Sequence, residues 1–101
     1  MTKIEFAPRA RRDLVDIEGY LTREAGSRRA KAVLARIRER IGQLAEQPRS
    51  GPERDDLRGR RALICRSYVA IYRLRNRDNG DIVVIVRIVH GARDLPALIE
   101  D

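Results

Sequence analysis

Residues 68–89 read YVAIYRLRNRDNGDIVVIVRIV, two runs of aliphatic, β-branched and aromatic residues on either side of Asp78-Asn79-Gly80. A tight hairpin needs positive φ, which Asn and Gly tolerate, so the triplet predicts a turn between two antiparallel strands. Tyr68 to Leu74 is the outgoing strand and Asp81 to Val89 the returning one. A period of two places Ile82, Val84, Val86 and Ile88 on one face of the returning strand, and Val83, Ile85, Arg87 and Val89 on the other. A strand apolar on both faces belongs in the middle of a sheet and has to be covered twice.

Upstream, Ala62-Leu-Ile-Cys65 is another strand-like run, and Arg66-Ser67 joins it to Tyr68 as either a tight connection or a bulge. Pro48 to Pro52 and the charged run Glu53 to Arg61 lack any period and read as a loop. Before the loop, Ala30, Leu34, Ile37, Ile41 and Leu44 recur at helical spacing, as do Ala10, Leu14, Ile17 and Leu21. Pro8 suits the first turn of the earlier helix, Gly26 stops it, and the Ser27 hydroxyl is placed to cap the next. So short a link predicts two antiparallel helices. Lys3-Ile4-Glu5-Phe6 alternates as a short strand does.

The expected architecture is a single α+β domain over residues 1–101: an N-terminal strand, then an antiparallel two-helix hairpin packed on a small antiparallel sheet, in the order β-α-α-β-β-β. Two helices cover one side of that sheet. The other needs a partner or the C-terminal tail, and the expectation is that a foreign segment covers it.

The chain has 101 residues and a formal charge of +7, and lysine occurs only at Lys3 and Lys31, so arginine carries nearly all the positive charge. Guanidinium is a planar fork of donors matched to carboxylate and phosphate, which points to an acidic protein or a nucleic-acid backbone as partner. The sheet arginines Arg66, Arg73, Arg75 and Arg87, with His90 and Arg93 just past the last strand, are the candidate partner-binding platform. A solvated sheet edge is the alternative. One histidine and one cysteine do not make a zinc site, no glycine-rich loop carries a P-loop lysine, and no cofactor is called for. Asp55-Asp56 and Glu100-Asp101 lie in charged stretches where carboxylates are ordinarily solvated. Cys65 sits in an apolar run and is expected to be buried and inert. Met1-Thr-Lys-Ile4 has no apolar signal core and no stretch is long enough to span a bilayer, so no membrane is involved and a cytoplasmic location is expected. Phe6, Tyr20, Tyr68 and Tyr72 offer few stacking platforms for a stand-alone single-strand binder.

The segment from Phe6 through Ala-Pro-Arg-Ala-Arg-Arg-Asp-Leu-Val-Asp-Ile-Glu-Gly to Tyr20, the helix end Leu44-Ala-Glu-Gln-Pro48 with Gly51, Tyr68-Val-Ala-Ile-Tyr-Arg73 and Arg87-Ile-Val-His-Gly-Ala-Arg-Asp94 resemble the ParE branch of the ParE/RelE toxins over nearly the whole chain. The resemblance implies a RelE-like fold and a toxin held inactive, in a hetero-oligomer, by a cognate acidic antitoxin whose C-terminal segment wraps it. It also implies that DNA gyrase is the target and protein contact the means, whereas the RelE branch cuts mRNA on the ribosome. The nuclease alternative would use Arg87 or Arg93 as phosphate clamp and His90 as acid or base. Two departures weigh against it: Tyr68 is followed by Val69 rather than arginine, and the C-terminus reads Leu95-Pro-Ala-Leu-Ile99 where nuclease members end near a tyrosine or histidine.

Overall fold

The computed structural model describes residues 2–77 and 80–99. Strand β1 (Lys3–Phe6) leads into helices α1 (Pro8–Ala25) and α2 (Ser27–Gly42), followed by strands β2 (Arg61–Cys65), β3 (Tyr68–Arg77) and β4 (Gly80–His90). The four strands form one sheet in the order β1-β4-β3-β2. Tight hairpins force β2, β3 and β4 to alternate in direction. β1 joins the rest through two helices, escapes that constraint, and pairs with β4 in parallel from Lys3↔Ile82 to Phe6↔Ile85. The sheet is therefore mixed, with β1 the one strand that departs from the antiparallel expectation.

Arg77 pairs with Gly80, the first residue of β4, whose φ is +113°; the expected turn residues Asp78 and Asn79 lie outside the described residues. Arg66-Ser67 is a two-residue turn, since Cys65 pairs directly with Tyr68. Gly26, at φ +90°, closes α1 and opens α2 by itself. Ser27 consequently falls inside the first turn of α2 and its side chain makes no capping bond, contrary to the role expected of it.

A β-bulge corrects the facing of β4. Ile71 stands opposite Arg87 but Tyr72 stands opposite Ile85, so Val86 is the extra residue. Beyond it the alternation reverses. Val83 and Ile85 face the helices, and so does Ile88, while Val89 turns to the other side.

The main core joins Ala10, Leu14 and Ile17 of α1 and Leu34, Ile37 and Ile41 of α2 to Leu44, Leu63, Cys65, Tyr68, Ala70 and Tyr72. A second core fills the opposite face: Val69, Ile71, Val89 and Ala62 are covered by Leu57 from the long loop and by Leu95, Leu98 and Ile99 from the tail. The chain thus seals that side with its own residues, and the expectation of a foreign cover is overturned. Short helical turns at Asp55–Leu57 and Pro96–Leu98 fold these segments back over the sheet.

Two polar devices hold the layers in place. β1 ends at Phe6, which leaves the Ile88 N–H without a strand partner on that edge, and the Asp13 carboxylate of α1 accepts it at 2.9 Å. The same carboxylate receives Arg87 Nε at 2.8 Å and Nη2 at 3.2 Å, and Arg87 Nη1 donates to the Leu98 carbonyl at 2.9 Å. In the other device, the buried Tyr72 hydroxyl donates to the Pro48 carbonyl at 2.8 Å and accepts from the Gly51 N–H at 3.0 Å. A side chain at Gly51 would collide with that hydroxyl and with the Ala62 carbonyl, so only glycine lets the loop pass.

Replacing Ile37 with aspartate would put an unpaired charge in the main core and is expected to abolish the cooperative melt seen by circular dichroism. Asp13→Ala would leave Arg87 buried without its counter-charge, at a cost of about 3–5 kcal/mol, read as a lower midpoint in urea unfolding. Burial pushes the Tyr72 phenol above its ordinary value, to which the Gly51 hydrogen bond is a smaller, opposing influence. The unfolded chain then ionises first, at about pH 10, and holds fewer protons than the folded one. Stability is therefore expected to be intact below that pH and to fall above it, with tyrosinate absorbance rising together with the loss of circular dichroism.

Candidate functional site

The six residues expected to form one platform occupy three places. Arg73 and Arg75 project from β3 on the side away from the helices; Arg75 pairs with Glu5 at 2.8 Å, and Arg73 is exposed. Arg66 lies in the turn at the opposite end of β3, whose first residue, Tyr68, is roughly 17 Å from Arg73 at the rise of an extended strand. His90 and Arg93 are at that same end. Arg87 belongs to neither group, because it is nearly buried between Asp13 and the tail.

Arg87 and His90 also lie on opposite faces of β4. Arg87 is opposite Ile71 of the second core, whereas His90 is opposite Tyr68, with the two rings edge to face at 5.5 Å. His90 Nδ1 accepts the Ala92 N–H at 3.1 Å, which anchors the ring in the strand exit. A clamp and an acid acting on one phosphate need a common face, and Arg87 and His90 do not share one. Among the described residues no group of three His, Cys, Asp or Glu could hold a metal ion. Cys65 is buried and desolvation pushes its thiol up, with Arg40 opposing weakly, so it is no nucleophile. No helix among the described residues is long and apolar enough to cross a membrane.

What tertiary structure does assemble is an arginine-rimmed groove between α2 and the edge strand β2. It is lined by Val33, Ile37 and Cys65, with Ile64 at the sheet edge, and Arg36, Arg40 and Arg66 stand along it beside a single carboxylate, Glu39, in a hollow of about 410 Å³. Ile64 is 67% exposed, unusual for an isoleucine on a short strand whose neighbours are buried. Arg40 Nε donates to the outward-facing Ile64 carbonyl at 3.1 Å, blunting the free edge of the sheet there. Past Arg66 the groove opens into a second hollow between the two helices and the β2–β3 turn, lined by Tyr20, Leu21, Arg29, Arg36, Tyr68 and His90.

Arg66 is the pivot of both hollows. Its φ is +60°, the left-handed region that costs a side-chain-bearing residue about 1–2 kcal/mol. Among the described residues Arg29, Arg36 and Arg66 make no hydrogen bond or ion pair within the chain. Sequence reasoning picked out Arg66 and His90 but missed Arg29, Arg36, Arg40 and Tyr20. A signal was present: Arg29, Arg36 and Arg40 recur at steps of seven and four, one helical face, flanking the apolar Val33 and Ile37.

The fold is similar to that of a chain in the chromosomal ParDE TA system from P. aeruginosa, with a TM-score of 0.76 and 22% identity over 89% of this chain and 96% of that one. It is also similar to a chain of the toxin-antitoxin complex RelBE2 from Mycobacterium tuberculosis, at a TM-score of 0.63 and 28% identity over 88% and 96% of the two chains. No curated protein matches the sequence closely enough to be counted a relative. The family model for the ParE toxin of type II toxin-antitoxin system, parDE, matches residues 4–95, and the chain belongs to that family.

Proposed function

We propose that this toxin is neutralised by a cognate acidic antitoxin seated in the groove between α2 and β2, and that once released it inhibits DNA gyrase by protein contact. The observation that carries the first half is the meeting of apolar surface, Val33 and the exposed edge residue Ile64, with Arg36 and Arg66, which have no partner among the described residues. An amphipathic acidic segment meets both demands at once, with apolar side chains on the floor and carboxylates on the guanidiniums. The two similar structures come from a ParDE TA system and a RelBE2 toxin-antitoxin complex, which agrees with a toxin that has an antitoxin partner. Arg73, exposed at the far end of β3, and Arg93, exposed just past the end of β4, remain as further contact points, and Arg87 does not.

For the target, the absence of a shared face for Arg87 and His90 favours binding over phosphate chemistry. Cleavage of ribosome-bound mRNA is the second reading, and Arg93 with His90 would have to carry it. The membrane has no part in either, and a cytoplasmic location follows from both targets.

The product of the adjacent reading frame is the probe for the first half. Arg36→Glu with Arg66→Glu is expected to weaken its binding by more than about tenfold with the fold retained, since each reversal adds a like-charge clash. Purified gyrase with supercoiled plasmid is expected to accumulate cleaved DNA or lose supercoiling when the chain is added. New mRNA ends on primer extension with gyrase untouched would replace this reading with the nuclease.

A further inference from the structure

The second hollow, of about 480 Å³, has a composition that the antitoxin groove does not explain. Arg29 and Arg36 come from α2 and Arg66 from the β2–β3 turn, so three guanidiniums from two elements converge on one concavity. None of the three has a carboxylate partner within the chain among the described residues. Gathering like charges without compensation is unfavourable, and the chain adds to it by holding Arg66 at positive φ. A ligand with several negative charges in a small volume would offset both.

The remaining lining is apolar or aromatic. Leu21 and Val33 form a greasy wall, and Tyr20 shows 54% of its surface at the rim, a flat ring free to stack. Tyr68 and His90 close the floor edge to face. Because His90 Nδ1 is taken by the Ala92 N–H, its Nε2 is left over for a ligand. A carboxylate peptide would use the arginines but leave the aromatic rim idle, and inorganic phosphate would do the same. A planar base joined to two or more phosphates uses every part, and the hollow has the volume usual for small-molecule sites.

We infer that this hollow is a binding site for a nucleoside polyphosphate, with Arg29, Arg36 and Arg66 on the phosphates and Tyr20 against the base. The inference does not rest on the identity of the toxin's target. Isothermal titration of the full chain with ADP is expected to give one site. Adenosine alone and inorganic phosphate alone should each bind at least about tenfold more weakly, since each satisfies half of the lining. Arg66→Gly is the diagnostic variant, because glycine relieves the positive φ and cannot be blamed for misfolding. It and Arg29→Ala should each lower ADP affinity about tenfold, the effect of losing one charged hydrogen-bonding group. Tyr20→Ala should weaken ADP and leave pyrophosphate unaltered. Arg11→Ala, at an arginine of α1 outside the hollow whose side chain has no partner among the described residues, should change nothing. No ADP binding, or an equal loss in Arg11→Ala, would each overturn the site.

Discussion

Both faces of β4 are apolar, and a chain of 101 residues with one helical hairpin has to shield each of them from water. Burying a full aliphatic side chain is worth roughly 1.5–3 kcal/mol, so neither face can be left open in a domain this small. The helices take one face. The other is closed by pieces with little structure of their own: a loop that delivers Leu57 and a tail that delivers Leu95, Leu98 and Ile99. Such pieces stay in place only if something pins them. The Asp13 and Arg87 pair does so, joining α1, the exposed edge of β4 and the Leu98 carbonyl in one network.

The bulge at Val86 belongs to the same solution. It falls just after β1 ends, where the edge of β4 becomes free, and it sets Ile88 into the helix-side core with its N–H toward Asp13. Without the extra residue, Ile88 and Val89 would exchange faces. Arg87, which composition alone would assign to a binding surface, is instead used to hold the fold together. The arginines with no partner among the described residues lie elsewhere.

Three of those arginines, Arg29, Arg36 and Arg66, line the hollow where the helical hairpin overhangs the β2–β3 turn. The hollow there and the groove along β2 share Val33, Arg36 and Arg66. A molecule seated in one would therefore touch residues of the other, so occupancy of the two places is coupled through common side chains. Arg66 at positive φ is the point where the fold accepts strain at this junction.

Local patterns were enough to read the order of elements, the stop at Gly26, the hairpin pairing of β3 with β4 and the two helical stripes, because each depends on neighbours within a few residues. The same holds for the family, whose segments recur in order along the chain. Four matters escaped such reading. The parallel pairing of β1 and the facing of Ile88 depend on which strands meet and where a residue is left over, and neither is encoded within a window of one strand. Leu57, alone in a charged run, looks like loop until the sheet gives it a surface to bury against. The site was least legible of all: a guanidinium looks the same in sequence whether it is locked by a carboxylate 74 residues away, as Arg87 is by Asp13, or left unpaired at the rim of a groove. Local sequence determined which residues could carry charge and which could be buried; only the packing of α1 and α2 over the sheet decided which charges were spent inside and which remained to bind, because that depends on contacts between residues far apart in the chain.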